Sequence, residues 1–234
     1  MKRVAIMQPY FFPSIRYFQL IHASDIFIIY DDVNFIKRGW INRNRILING
    51  EGNYITVPLK KASQNKYINQ IHISHHEIWQ KKMLKSIEFA YKKSPFFFSI
   101  YPVVEDVIQN KCETILDLST NSIQAVLESM GLTLTMKYSS DSNVDAEGLN
   151  KSDRLIAITK ENEGLEYLNP IGGKSLYQKD YFNERGVSLL FLKSKWLSYE
   201  QFENDFVSDL SIIDVLMFNG VERTKKLLSE YEIR

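Results

Sequence analysis

The sequence predicts an α/β fold with a Rossmann-like parallel sheet at the N-terminus, an inserted antiparallel hairpin and a helical C-terminal part. Three observations predict it. Residues 3–7 (RVAIM) form a short apolar run that meets Pro9. Residues 15–23 (IRYFQLIHA) carry apolar side chains at helical spacing. Residues 25–30 (DIFIIY) form a second apolar run that closes on Asp31 and Asp32. Strand, proline-bounded loop, helix and strand in that order are the unit of a parallel sheet. In such sheets ligands bind beyond the carboxyl ends of the strands, which puts Gln8, Tyr10, Asp31 and Asp32 at one rim.

The pattern changes after Phe35. Residues 45–48 (RILI), a turn over 49–52 (NGEG) and residues 54–59 (YITVPL) predict an antiparallel hairpin, with Pro58 at an edge or an end. A short strand is expected at 69–73. Helices are expected over 78–91, 103–109 and 119–130, the last closed by Gly131. A strand at 132–138 and a polar loop at 139–150 follow. Further on come a helix over 152–163, a strand at 166–168, a loop over 169–174 (NPIGGK), a helix over 177–185 and a strand at 187–192. A buried helix over 211–219, ended by Gly220, and a polar terminal helix over 222–231 complete the chain. No internal repeat or linker interrupts it, so a single domain over 1–234 is expected.

Composition narrows the function. The chain has 234 residues, of which 44% are hydrophobic, enough for a sizeable core. A formal net charge of +1 lacks the basic stripe of a nucleic-acid binder, although Arg and Lys gather in the first fifty residues and suit a small anionic ligand. One cysteine, Cys112, allows no internal disulfide, and four scattered histidines match no metal motif, so no metal site is expected. The N-terminus lacks a signal-peptide core and no segment is apolar for long enough to span a bilayer. These features point to a cytoplasmic protein.

Five stretches hold candidate chemistry. In MQPYFFP (7–13), two prolines and three aromatics make a rigid loop on which Gln8 and Tyr10 present polar groups, while Phe11, Phe12 and Phe18 pack. Asp31 and Asp32 follow a strand directly and point to opposite sides. One of them serves as a base, a water-mediated magnesium ligand or an acceptor for sugar hydroxyls; a solvated turn is the alternative. In KRGWINRNR (37–45), Arg43 and Arg45 share one strand face and Asn42 and Asn44 the other. Guanidiniums clamp carboxylate or phosphate, and the Trp40 ring stacks on a sugar or base; Lys37 and Arg38 suit a solvated strand. The loop with Gly172, Gly173 and Lys174 brings backbone N–H groups and one cation toward an anion without Walker spacing, and suits a plain turn equally. Asp214 lies on an apolar helix with Ser211 as its expected cap. An ionised carboxylate there needs a partner, for which Arg43, Arg45 or Arg154 is expected. His22, the His75–His76 pair and Cys112 fit no reactive pattern.

Taken together, the stretches MQPYFFP with YFQLI, SDIFIIYDDVNF, KRGWINRNRI, YITVP, PIGGK and LSIIDVLMFNG resemble the WbqC-like protein family over nearly the whole chain. Two positions depart from the family pattern: Arg16 where Gly is expected, and Ser198 where Pro is. The resemblance implies a setting in bacterial O-antigen and other surface-polysaccharide biosynthesis. The implied activity is transfer of an acyl or aminoacyl group onto an activated, nucleotide-linked amino-sugar, with a nucleotide sugar and an acyl or amino-acid donor as small-molecule partners. In that reading Gln8, Tyr10 and one of Asp31 and Asp32 position the amine, while Arg43 and Arg45 hold phosphates or the donor carboxylate. The opening also looks like nucleotide-handling folds of the pantothenate-synthetase type. Tyr10 and Tyr17 replace the histidine pair of that type, which speaks against nucleotidyl transfer. An ATP-dependent ligase and a non-catalytic sugar-binding protein of the same pathway remain open, and the residues select no cofactor.

Overall fold

The structure is a computed structural model that describes all residues except 75, 76, 135, 146, 196, 197 and 204 and the side chain of residue 77. The expected opening is present: β1 (Arg3–Met7), α1 (Ile15–His22) and β2 (Ile26–Ile29). A hairpin of β3 (Arg43–Ile48) and β4 (Glu51–Thr56) and a small pair, β5 (Leu59–Lys60) with β6 (His72–Ile73), come next. Helices α2 (Glu77–Tyr91), α3 (Phe97–Gln109) and α4 (Ile115–Ser129) follow. The chain then returns to the sheet through β7 (Met136–Tyr138), α5 (Lys151–Glu161), β8 (Glu166–Pro170), α6 (Lys179–Asn183) and β9 (Ser188–Ser194). It ends with α7 (Ile212–Leu227) and β10 (Tyr231–Ile233).

The central sheet is mixed but mostly parallel, in the order β10-β9-β8-β1-β2-β7, with β10 alone antiparallel. Two expectations are corrected here. The sheet does not belong to the N-terminal part alone, and the C-terminal part is not simply helical, because β8, β9 and β10 all come from residues after 165. The expected terminal helix over 222–231 stops at Leu227, and residues 231–233 pair with β9 across the edge. That edge pairing leaves no hydrophobic alternation strong enough to read from three residues.

Strand alternation divides the apolar side chains between two cores. Val4, Ile6, Ile28, Tyr167, Leu189 and Phe191 face one side with Leu155 and Ile158 of α5 and Phe182 of α6. Ala5, Phe27, Ile29, Leu168 and Leu192 face the other, which is continuous with α1, α3, α4 and α7 and the buried side of the hairpin. β1 lies in the middle, fully buried from Val4 to Ala5.

Local chemistry explains the shifted boundaries. Asn49 and Gly50 have φ of 52° and 77° and make the turn by themselves, so β4 starts at Glu51 and not at 54. α3 begins six residues before the expected 103 because Pro102 lies inside it and reads as a boundary. α4 begins at 115 because Thr114 caps it: the Thr114 hydroxyl accepts from Asp117 N at 3.1 Å while Asp117 Oδ2 accepts from Thr114 N at 3.1 Å. The expected strand at 69–73 is a 3-10 turn over Ile68–Gln70 followed by the two residues of β6.

The first helical segment of α7 ends at Gly220 as expected: φ is 65° and ψ is −179° there, outside the helical region, and a second segment follows across the kink. A methyl group there would lie 2.6 Å from Phe96 Cε1. Both the backbone conformation and the aromatic contact admit glycine only. Gly220→Ala is expected to lower the unfolding free energy by about 2–4 kcal/mol in urea titrations.

Candidate functional site

The loop after β1 is anchored from three directions. Asn44 Nδ2 of β3 donates to Phe11 O at 3.2 Å and Phe12 O at 2.7 Å. Phe12 N donates to Ser122 Oγ of α4 at 2.9 Å, and the Ser211 hydroxyl ahead of α7 donates to Phe12 O at 2.7 Å. Phe12 holds φ of 39°, and its ring and that of Phe11 are fully buried. These bonds hold a strained loop in one conformation and present Gln8 and Tyr10, both half-buried, beside the strand ends. Tyr17 donates its hydroxyl to Gln8 O at 3.0 Å. Burial pushes the Tyr10 hydroxyl up to about 12, so it stays protonated and donates.

β1 is the switch point of the sheet, since its connections lead to β2 on one side and, later in the chain, to β8 on the other. The carboxyl ends of β1, β2, β7 and β8 share one rim, and Tyr30 N donates to Met7 O at 2.8 Å there. The two aspartates at this rim differ sharply. Asp31 is 1% exposed and its carboxylate accepts from Asn69 Nδ2 at 3.0 Å, Ser140 N at 3.0 Å, Ser140 Oγ at 2.7 Å and the Ser139 hydroxyl at 3.1 Å. Its lone pairs are occupied in tying β2 to the loop after β7. Asp32 is half-buried and forms an ion pair with Arg154 of α5. The Ser139 hydroxyl also reaches Asp32 Oδ1; its single proton serves one carboxylate at a time.

Arg154 lies 5.1 Å over the Tyr30 ring, and its buried Nε has no hydrogen-bond partner among the described residues. Burial pushes the Tyr30 hydroxyl up, with Arg154 pulling it partly back and Asp32 and Tyr177 adding to the rise. Asn169, at the end of β8, accepts from the Tyr167 hydroxyl at 3.3 Å. A methyl group at Gly173 would lie 2.1 Å from Asn169 Nδ2, so a side chain there would displace the Asn169 amide. Gly172 and Lys174 are exposed on the same 3-10 turn, over Ile171–Leu176.

The hairpin residues are placed differently. Asn42 Nδ2 donates to Val57 O at 2.8 Å. Arg43 donates from Nε to Gly39 O at 3.1 Å and lies 4.3 Å over the Tyr54 ring, with Trp40 partly exposed 6.2 Å from that ring. Arg45 donates to Ser208 O at 2.9 Å. The strand parity of Arg43 and Arg45 is as expected, yet their guanidiniums cap backbone carbonyls, and among the described residues no hydrogen bond or ion pair joins them to the aspartate rim.

The arginine partner expected for Asp214 is also corrected. Asp214 is fully buried and accepts from Tyr91 Oη at 2.9 Å, Tyr199 Oη at 2.7 Å and Gln201 Nε2 at 2.7 Å. Neutral donors can satisfy a carboxylate without a second buried charge. Burial nonetheless pushes its pKa from 3.8 up to about 6, against the pull of these three hydrogen bonds. Ser211 caps α7, accepting from Ile213 N at 3.3 Å. The His75–His76 pair lies outside the described residues, and Cys112 is buried, which pushes its thiol up.

Among the rim residues, Asn169 and Tyr177 bound the glycine loop that the sequence marks, and Arg154 is one of the partners expected for Asp214. The pairing of Arg154 with Asp32 is not legible in the sequence, because the two are 122 positions apart. Tyr30 is findable as the last residue of an expected strand.

The fold and site define a mostly parallel α/β protein with a polar rim at the switch point of its sheet. The chain belongs to the WbqC-like protein family, whose profile matches residues 8–226. It is similar to the uncharacterized protein Rv1507c of Mycobacterium tuberculosis, with 29% identity over 225 residues covering 95% of this chain and 96% of that one. No solved structure matches the chain significantly. Among the described residues, no helix is long and apolar enough to cross a membrane, and no group of three His, Cys, Asp or Glu side chains is placed to hold a metal ion.

Two outcomes follow from the geometry. Asp31→Ala orphans Asn69 and Ser140 and is expected to cost about 2–4 kcal/mol in urea unfolding, against about 1–2 kcal/mol for Asp32→Asn. The folded chain holds the Asp214 proton to higher pH than the unfolded chain does. The stability from this group is therefore complete below 3.8 and is lost as pH rises through about 6. Unfolding titrations at intervals between about pH 4 and about pH 7 should show a decline of up to about 3 kcal/mol, flattened in Asp214→Asn.

Proposed function

We propose that the protein is a transferase that modifies an activated amino-sugar, by acyl or aminoacyl transfer, in bacterial surface-polysaccharide biosynthesis. The observation that carries this reading is the Asp32–Arg154 pair, half-buried at the carboxyl rim beside Tyr30 and the loop of Gln8 and Tyr10. Forming an amide needs a base that frees the amine and donors that steady the developing oxyanion. Of the two aspartates, Asp32 suits the base, because Asp31 is buried and its carboxylate accepts from Asn69 Nδ2, Ser140 N and Ser140 Oγ, with the Ser139 hydroxyl shared between the pair.

Arg154 supplies a cation at the rim, suited to a phosphate or carboxylate of the substrate. Protonated Tyr10 and the Gln8 amide are the donors at the same rim. The turn of Gly172, Gly173 and Lys174 supports an anion contact through its backbone N–H groups and its lysine. In this reading Trp40, Asn42, Arg43 and Arg45 shape the hairpin beside the loop, and Asp214 braces α7 from beneath. The setting in polysaccharide assembly comes from what the family resemblance implies.

The test is mass spectrometry of the surface polysaccharide from a deletion strain of the source organism. The deletion is expected to lose one acyl or aminoacyl substituent, restored by the wild-type gene. Asp32→Asn should fail to restore it while folding normally by circular dichroism. An unchanged polysaccharide in the deletion strain, or full restoration by Asp32→Asn, would refute the proposal.

A further inference from the structure

α2 has an unusual solvent face. Its buried side is ordinary: Met83, Leu84, Ile87, Ala90 and Tyr91 pack into the large core. The opposite side should be polar throughout on an amphipathic helix. Instead Ile78 is 77% exposed and Phe89 62% exposed. At 100° per residue, Ile78, Lys82, Lys85 and Phe89 fall within a single narrow stripe, with Lys81 and Ser86 at its margins.

Residues 77–93 carry five lysines, Lys81, Lys82, Lys85, Lys92 and Lys93, against two acids, Glu77 and Glu88, in a chain whose net charge is only +1. None of the five forms an ion pair with a described side chain. The surface around the stripe is grooved on both sides of Phe89. One shallow depression of about 510 Å³ runs between Ile48, Ile78, Lys82, Lys85 and Phe89, and another of about 410 Å³ runs between Asn49, Phe89, Lys92, Lys93 and Phe202. The tip of the β3–β4 hairpin borders both.

We infer that this face of α2 docks the protein on an anionic lipid surface. The charge complementarity is direct: unpaired lysines at a negatively charged membrane gain attraction with each added cation. The two apolar side chains project singly and do not line one deep pocket. This suits insertion into the headgroup region better than recognition of one partner side chain. Lysine stems lie along the apolar layer while their ammonium groups stay with lipid phosphates. Neither depression is lined by a residue of the aspartate rim, so the inference stands apart from the proposed chemistry.

The full chain is sedimented with phosphatidylcholine vesicles, and with vesicles in which about one third of the lipid is phosphatidylglycerol. Binding is expected to the anionic vesicles only and to disappear near about 0.5 M salt. The double variant Lys82→Glu, Lys85→Glu is expected to lower partitioning at least about tenfold, and Phe89→Ser about three- to tenfold, with melting temperatures unchanged because all three positions are exposed. Equal binding to neutral vesicles, no binding to either, or full binding by the double variant overturns the inference. So does binding to poly-glutamate as tight as to vesicles and indifferent to Phe89→Ser, which would assign the face to an acidic protein.

Discussion

The backbone of Phe11 and Phe12 is the joint on which the molecule depends. Two buried rings hold the loop against the core, and its N–H and C=O groups are satisfied by side chains from β3, α4 and the start of α7. A buried loop would otherwise carry orphaned polar groups, which is why loops seldom run inside proteins. Here Asn44, Ser122 and Ser211 replace the hydrogen bonds of a sheet or helix. The same bonds hold Phe12 at positive φ. The hairpin, the helical layer and the central strand are thereby fixed to one another at the point where Gln8 and Tyr10 emerge.

A second buried polar centre extends this logic. Tyr91 donates its hydroxyl to Asp214 and accepts from Leu47 N at 2.9 Å, so α2, the hairpin and α7 meet on one side chain. Gln201 joins them: its amide donates to Asp214, and its carbonyl accepts from Val207 N at 2.7 Å. A carboxylate in so apolar a helix is costly unless every lone pair is met. Three donors from two separate segments meet it, and the cost that remains appears as the raised pKa. At the rim, Asp31 plays the same bracing part for β2 and the loop after β7. Asp32, one residue on, keeps partial exposure and pairs with Arg154. The two carboxylates do not point to opposite sides as expected, since both meet the Ser139 hydroxyl; β2 ends at Ile29, so strand alternation does not reach them.

Much of the fold was legible along the chain. The β1-α1-β2 unit is visible as two apolar runs around a helix of period 3.6, and α2 and α5 follow from the same periodicity. The Asn49–Gly50 dipeptide announced the hairpin, though the strand after it began sooner than Tyr54, because two positive-φ residues suffice for the turn. Pro102 concealed the start of α3, whereas Gly220 marked the break between the two segments of α7 correctly. β10 was hidden altogether: a three-residue edge strand owes its form to β9 and not to its own composition.

The sequence by itself determined the parallel unit, the rim that carries Gln8, Tyr10, Asp31 and Asp32, and the need for a partner at Asp214, since each follows from local periodicity or the cost of burying charge. Only the tertiary structure decided which partners those groups find. Arg154 reaches Asp32 across 122 positions, tyrosines and a glutamine meet Asp214, and Arg43 and Arg45 turn to backbone carbonyls. The reason is physical: hydrogen bonds and ion pairs act within about 4 Å. At that range the fold, and not spacing along the chain, sets what lies near what.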